Sequence, residues 1–235
     1  MTDYQWNIEQ IEIEYKNFFK DFGINSTSGV LENFPEFKFA TMPHIGSNYF
    51  AAKEKILFIG MDIGRDETPG RYQDLAERNN NIQCEIDFNP HIAGTYCSAL
   101  FLLKKLYDWE ELWTTFSSYP TYSKATKTQH HKNGENPLSY VSLTNLHKFV
   151  TTERWNRAGD ADRKFLMKDA EEAFLLREIE VLKPDLVFFQ GKLPSSNIVE
   201  KIKENNIKII FAPHPSYRAK GGRNPNNYIN TFREI

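Results

Sequence analysis

Residues 207–216, with the sequence Ile-Lys-Ile-Ile-Phe-Ala-Pro-His-Pro-Ser, place a histidine directly after a mostly apolar run near the end of the chain. A short apolar run of this kind is typical of a strand buried inside a sheet. A glycine-rich loop with basic residues follows at 217–223. A buried strand that delivers a histidine to its carboxyl end predicts a ligand site at the edge of an open α/β sheet.

Three further apolar runs predict strands at residues 55–60, 140–144 and 185–190. Helical patterns separate the last strands, and the clearest of them covers Phe165–Leu182 and ends before Pro184. Strands that alternate with helices imply right-handed crossovers and parallel pairing. The sequence therefore predicts an α/β protein of three layers, α/β/α, around a central, mainly parallel four-stranded sheet.

The remaining segments show weaker patterns. Apolar residues at helical spacing predict an amphipathic helix over residues 5–22 and a second helix over 93–107. Proline and glycine predict irregular chain at 34–49, residues 61–92 are predicted as a long loop or a broken helix, and residues 117–139 as a loop. Because long loops in a compact domain are usually functional, we expect a functional role for residues 61–92 if they form a loop.

Size and composition are those of a single globular unit. The chain has 235 residues, of which 40% are apolar and 26% charged. We expect one domain, 1–235, in which residues 1–40 form an N-terminal helical extension. No apolar stretch approaches the roughly 18 residues of a membrane span, and the polar first residues argue against a secretory signal. We therefore expect an intracellular, cytoplasmic protein.

The cysteine count excludes one class of metal site, and the charge is unevenly distributed along the chain. Two cysteines cannot supply a four-thiolate iron–sulfur or zinc site, so we expect free thiols and no iron–sulfur cluster. The net charge is −2, yet residues 1–37 hold seven acids against two lysines, a balance of −5. Residues 124–132 hold three lysines and no acid. This asymmetry fits either a local anion-binding face or an ordinary solvated surface.

Four strand ends carry distinctive residues in a fixed order along the chain. These are Gly60-Met61-Asp62-Ile63-Gly64, Thr144-Asn145-Leu146, Gln190-Gly191-Lys192 and His214-Pro215-Ser216. In order and spacing, from about Pro43 to the C-terminus, the motifs resemble those of the uracil-DNA glycosylase superfamily. The resemblance implies the fold of that family and hydrolysis of the N-glycosidic bond between uracil, or a related damaged base, and deoxyribose in DNA.

The resemblance implies that Asp62 and His214 are the catalytic residues. Cleavage of the glycosidic bond develops positive charge on the sugar and negative charge on the departing base. In this assignment His214 donates a hydrogen bond to the uracil O2, and one such preorganised donor is worth roughly 3–4 kcal/mol. Asp62 orients or partly deprotonates the attacking water and faces the cationic sugar.

Four residues are expected at the base. The Asn145 amide accepts from uracil N3–H and donates to O4, whereas cytosine presents the reverse polarity. Gly60 and Met61 lie on the same strand end as the acid. Phe88, from the segment before Ala93-Gly94, resembles the phenylalanine on which the family stacks the base, a contact worth about 1–3 kcal/mol.

The loop after the last motif is expected to hold DNA. The resemblance assigns backbone contacts or the wedge that fills the gap left by a flipped base to five residues there, Ser216, Tyr217, Arg218, Lys220 and Arg223. Tyr217 and Arg218 are the candidate wedges. We expect single- or double-stranded DNA as the partner, a monomer, and neither a cofactor nor a metal ion.

Two departures from the family pattern keep other functions open. Ile63 stands where the first motif usually has a proline, which changes the turn that aims Asp62. Gly64 stands where one branch of the family has a tyrosine that blocks the thymine methyl group. The Ile63 departure and the near-neutral charge favour a non-catalytic nucleic-acid binder that keeps the pocket as one alternative. The acidic N-terminal region and the overall charge favour a hydrolase that acts on free nucleosides or nucleotides as the other.

Overall fold

The computed structural model describes residues 3–61, 72–129, 136–151, 165–216 and 223–235. Two short 3₁₀ turns, Tyr49–Ala51 and Pro137–Tyr140, accompany the regular elements. The helices and strands of the described residues are α1 (Asp3–Asp21), β1 (Val30–Leu31), β2 (Phe34–Phe39), β3 (His44–Ile45), β4 (Ile56–Gly60), α2 (Leu75–Glu85), α3 (Pro90–Leu103), α4 (Glu110–Ser117), α5 (Tyr122–Gln129), β5 (Val141–Asn145), β6 (Phe149–Thr151), α6 (Phe165–Leu182), β7 (Leu186–Gln190), α7 (Ser196–Glu204), β8 (Lys208–Ala212), α8 (Pro225–Ile229) and β9 (Arg233–Glu234).

The central sheet has the order β3-β5-β4-β7-β8-β9. Its four middle strands, β5, β4, β7 and β8, are parallel to one another and are the four strands predicted from the sequence. The two short edge strands, β3 and β9, pair antiparallel and extend the sheet to six strands. The predicted α/β fold with a mainly parallel central sheet is confirmed.

Both faces of this sheet are covered, as expected for strands that are apolar throughout. Side chains alternate along a strand, so Ile56 and Phe58 of β4 point to one face and Leu57 and Ile59 to the other. The first face packs against residues of α2, α3, α4, α5 and α8. The second packs against α1, α6 and α7. The three layers follow from this alternation.

The N-terminal helix joins the second face through aromatic packing. The Phe18 ring stacks on Phe174 of α6 with 3.8 Å between ring centroids. Tyr15, from the next turn of α1, donates its hydroxyl hydrogen to the Glu178 carboxylate in the interior. The helix predicted over residues 5–22 is thus present as α1, and its apolar stripe is buried against the body of the protein.

Several elements differ from the sequence-based expectation. The segment predicted as irregular contains β2, which pairs with β1 and β6 in a separate three-stranded sheet. Helix α2 lies in the segment predicted as a long loop or a broken helix, and α5 lies in the loop predicted at 117–139. Helix α2 begins at a capping box in which the Asp74 carboxylate accepts the Glu77 N–H at 2.9 Å. Its sequence is rich in asparagine, so its helical pattern is weak.

Two expected boundaries also moved. The helix predicted over 93–107 begins earlier, at Pro90, because Asn89 caps it and proline suits the first helical position. It also ends earlier than predicted, at Leu103 rather than at residue 107. No helix in the described part of the chain is long and apolar enough to cross a membrane.

Candidate functional site

The carboxyl ends of the four parallel strands meet at one edge of the sheet. Gly60 of β4 is in register with Asn145 of β5, and Gln190 of β7 is in register with Ala212 of β8. Gly60 and Asn145 follow the alternation of the strand residues that face α3. The residue types that the sequence singled out at these strand ends therefore lie side by side on the α3 face.

His214 is held in one tautomer by the turn that follows it. Its Nδ1 is 3.2 Å from the backbone nitrogen of Ser216 and 2.7 Å from the Ser216 hydroxyl oxygen. A backbone N–H can only donate, so Nδ1 is the acceptor and the neutral ring carries its proton on Nε2. Burial lowers the pKa of His214 and favours this neutral form. The site thus presents a preorganised, uncharged N–H donor.

Asn145 is a buried amide that has no hydrogen-bond partner within the described part of the chain. The residue is 2% exposed, and neither its Oδ1 nor its Nδ2 has a hydrogen-bond partner among the described residues. Leaving such atoms unsatisfied costs about 1–3 kcal/mol, so orphaned amides of this kind are uncommon. An amide that can accept and donate at once is suited to a ligand edge that carries an N–H beside a carbonyl oxygen.

His91 of α3 completes the site and was missed by the sequence reasoning. Its ring centroid lies 4.8 Å from that of His214, and its Nε2 lies 3.2 Å from the Gln190 Oε1. Gly60 leaves room for this ring, because a Cβ atom there would be 2.9 Å from the His91 Cε1 and 3.0 Å from the Asn145 Oδ1. His91 therefore borders Gly60 on one side and His214 on another.

The signal for His91 was present but indirect. His91 lies one helical turn before Thr95, whose hydroxyl oxygen is 3.0 Å from the same Gln190 Oε1. A histidine and a threonine at this spacing share one face of a helix. Nothing in the local pattern indicates that this face covers the strand ends, which depends on how α3 packs on the sheet.

Acid should destabilise the protein through His91. Burial is the main cause, and the neighbouring His214 the second, of a pKa of His91 lowered to about 3. An unfolded histidine binds its proton near pH 6.5, so falling pH favours the unfolded chain throughout the interval between about 6.5 and 3. Between pH 6.5 and 4.5 we expect His91 to remove about 2 kcal/mol of stability, within the limit of 1.4 kcal/mol per pH unit for one group.

Urea unfolding of the wild type and of His91→Phe at both pH values measures this contribution. The phenylalanine ring occupies a similar space but binds no proton. Between the two pH values, the free energy of unfolding of His91→Phe should therefore change by about 2 kcal/mol less than that of the wild type. Equal pH dependence of the two proteins would show that His91 is protonated as readily in the fold as in the unfolded chain.

A buried ionic network fixes the end of β5. The Glu178 carboxylate of α6 accepts hydrogen bonds from Tyr15, from Thr144 at 3.0 Å and from the Lys148 ammonium group. Both partners of the Lys148–Glu178 ion pair are 1% exposed. Because Thr144 and Lys148 flank Asn145 in the chain, this network holds the strand end that carries the unpaired amide.

The other expected site residues have varied surroundings. Met61 follows Gly60 and packs beside Gly191. A Cβ atom added to Gly191 would be 3.0 Å from the Met61 Sδ. Phe88 lies before α3 and is 66% exposed. Arg223 donates from Nη2 to the Ser216 carbonyl at 3.2 Å and braces the turn that holds His214. A contact of Phe88, Ser216 or Arg223 with a nucleic acid stays a prediction.

Four of the expected residues lie outside the described part of the chain, namely Asp62, Tyr217, Arg218 and Lys220. Within the described residues, no three His, Cys, Asp or Glu side chains are grouped so as to hold a metal ion. The groups that the structure brings together are His214, Asn145 and His91. They offer one fixed donor and one free amide to a planar, polar ring.

A family model described as the uracil DNA glycosylase superfamily matches residues 101–235. The match covers 135 of the 235 residues and contains Asn145, the end of β7 and the His214-Pro215-Ser216 turn. Gly60, Met61 and Phe88 lie before the matched residues. The resemblance in motifs described above begins earlier, at about Pro43. None of the curated proteins searched matches the chain.

Proposed function

Because the chain belongs to the uracil DNA glycosylase superfamily, we propose that it is a DNA N-glycosylase that removes uracil or a related damaged base. Membership of the family supports a DNA glycosylase-like hydrolase in general. The choice of base and the mechanism are our proposal, which the residues of the site support. The observation that carries the proposal is the buried, unpaired amide of Asn145 on the same strand edge as the fixed donor of His214.

His214 supplies the stabilisation of the departing base in this proposal. As the bond between the sugar C1′ and the base nitrogen breaks, its electron pair goes to the base, and negative charge reaches the carbonyl oxygen. The Nε2–H of a neutral imidazole donates to that oxygen most strongly when the charge has developed. A donor that is already oriented by Ser216 needs no reorganisation at that moment.

The water that bonds to C1′ in place of the base loses a proton, so it needs a group that orients it and accepts that proton. We assign this role to Asp62, which directly follows Met61 at the end of β4. Its carboxylate also faces the positive charge on the sugar. Phe88 is proposed to stack on the base, and Ser216, Tyr217, Arg218, Lys220 and Arg223 to contact the DNA backbone or to fill the gap left by the base.

We further propose that residues 1–235 act as one glycosylase-like domain and as a monomer. Residues 1–40 are its N-terminal extension, in which β1 and β2 follow the expected helix, and the burial of α1 against α6 supports their attachment to it. The partner is single- or double-stranded DNA.

The proposal is tested on a panel of oligonucleotides that carry uracil, hypoxanthine, xanthine or a thymine mispair, in single and double strands. Abasic sites are detected as strand breaks after alkali. We expect release of at least one base, with binding that weakens as salt rises. Binding without release supports the non-catalytic alternative, and release from a mononucleoside without salt-dependent DNA binding supports the free-nucleoside alternative.

Replacing Asn145 by aspartate tests the reading of the base. A carboxylate still accepts from N3–H but cannot donate to O4, and it repels the charge on the departing base. We expect kcat/KM for uracil to fall about 100-fold, because a site built for paired hydrogen bonds strongly rejects a mismatched partner. The preference for uracil over cytosine should shrink, since the cytosine amino group donates to a carboxylate.

The measurement is the ratio of kcat/KM for uracil and cytosine in the same sequence. Asn197→Asp, on the exposed surface of α7, is the matched control and should behave as wild type. An Asn145→Asp enzyme with an unchanged ratio would exclude contact between this side chain and the base.

A further inference from the structure

A second pocket opens at the same edge of the sheet, on the opposite face. It has a volume of about 530 Å³, within the range typical of small-molecule sites. Alternation along β4 explains its position, because Gly60 faces α3 whereas Met61 follows Leu57 and Ile59 toward α6 and α7. The pocket is therefore separate from the site formed by Asn145, His91 and His214.

Only a thin wall divides the two sites. Met61 lines the second pocket, and a Cβ atom on Gly191 would be 3.0 Å from the Met61 Sδ and 3.1 Å from the His214 Cβ. Gly191 and Met61 form this wall, and Gly191 packs against the proposed catalytic residue His214. A ligand that fills both sites at once needs two adjacent units joined by a short link.

His147 supplies a fixed polar group in the second pocket. Its Nδ1 is 3.2 Å from the Glu171 Oε2, while the Glu171 Oε1 accepts the N–H groups of Lys148 at 2.7 Å and Phe149 at 3.0 Å. A carboxylate only accepts, so the Nδ1 of His147 carries a proton. In the neutral ring Nε2 is then an acceptor, oriented by Glu171.

The rest of the lining has apolar walls, two lysines at the surface and the buried Glu172 carboxylate, which accepts hydrogen bonds from the Ser195 N–H at 2.9 Å and the Ser195 hydroxyl at 2.6 Å. Leu146, Leu193 and Pro194 form apolar walls. Lys168 and Lys192 also line the pocket, are exposed, and form no ion pair with another described residue. Apolar walls suit the faces of a planar ring, an acceptor suits a ring amino group, and two free ammonium groups suit a phosphate. These are the parts of a nucleotide.

We propose that this second pocket binds the nucleotide next to the one whose base enters the Asn145–His214 site, and that it favours a neighbour with an exocyclic amino group. The inference rests on the proposed function, since it takes DNA as the ligand. Adenine, cytosine and guanine carry such an amino group and thymine does not, so His147 discriminates against a thymine neighbour.

Binding to short single strands tests the proposal without any cleavage. The probe contains 2′-fluoro-2′-deoxyuridine, whose fluorine disfavours positive charge on the sugar and so prevents base loss. Its neighbour, on the 5′ or the 3′ side, is adenine or thymine. We expect the adenine strand to bind about 5-fold more tightly on one side, as one hydrogen bond of ordinary strength predicts.

His147→Phe keeps a planar ring but removes the acceptor, so the ratio of the two dissociation constants should fall to near 1. Lys192→Glu should weaken both strands equally and reduce the salt dependence, as loss of a phosphate contact does. Because Lys192 is exposed, this variant keeps its fold. Lys203→Glu, at an exposed position of α7 outside the pocket, is its matched control and should leave both affinities unchanged.

Equal binding of adenine and thymine strands on both sides, or an unchanged ratio in His147→Phe, would overturn the proposal. A competition experiment could also overturn the proposal. If free deoxyadenosine monophosphate displaces the strand from the wild type but not from His147→Phe, the ligand of this pocket is a free nucleotide. Neighbour-dependent binding without uracil release rejects only the proposed function. Uracil release without neighbour dependence rejects only the second site.

Discussion

Replacing His214 by alanine should lower kcat for base release by about 10²–10³-fold, the effect of removing one preorganised donor from a site where negative charge develops. The alanine enzyme loses the Nε2–H that Ser216 holds in place through Nδ1. KM should change much less than kcat, because the donor acts mainly on charge that is absent from the ground state.

His214→Gln is the informative companion variant. Glutamine places an amide N–H near the position of the imidazole Nε2, so it should recover part of the lost rate. Single-turnover release of the base from a uracil-containing strand measures the chemical step alone. A kcat within 3-fold of wild type for His214→Ala would remove this histidine from the mechanism, and equal loss in both variants would argue against a donor role.

Replacing Glu178 by alanine should destabilise the protein by about 3–5 kcal/mol, since it leaves the buried ammonium group of Lys148 without its counter-charge. Burial already lowers the pKa of Lys148, and Glu178 opposes that shift. The hydroxyl groups of Tyr15 and Thr144 lose an acceptor at the same time. This loss is among the largest that one substitution outside the aromatic core can cause.

Urea unfolding measures the change, with Glu180→Ala as the matched control on an exposed position of the same helix. The control should lie within about 0.5 kcal/mol of wild type. The double variant Lys148→Met/Glu178→Met removes both charges and should regain much of the loss, because an apolar pair has no desolvation cost. If Glu178→Ala is as stable as Glu180→Ala, the pair contributes nothing to folding.

The core of the fold was predictable because its strands are apolar on both faces. Residues 55–60 and 185–190 have no polar alternation, which marks strands buried under two layers, and both appear as β4 and β7. Helix α6 has the predicted bounds, Phe165–Leu182. In each case a local pattern and the tertiary environment favour the same structure.

Elements with mixed local signals were not predictable. β2 contains Pro35 and Glu36, which hide the alternation of Phe37 and Phe39, although both of these side chains are buried. α2 and α5 are rich in polar residues and are stabilised by their contacts and caps rather than by a strong apolar stripe. Tertiary packing decides the structure of such segments.

The candidate site was predictable in part for a related reason. Asn145 and His214 stand at the ends of recognisable strands, and the ends of parallel strands share one edge of a sheet. His91 stands on a helix, so its place beside His214 depends on how that helix docks. The pairing of His147 with Glu171 likewise joins a loop to a distant helix.

The amino-acid sequence by itself determined the four parallel strands, the helix α6 and the order of the polar residues at the strand ends, because each depends on near neighbours in the chain. Only the tertiary structure decided the strand order, which sets Asn145 beside Gly60, and the partners of each side chain. Those contacts join residues that are far apart in sequence. Their energies depend on register, docking and burial, which no local pattern contains.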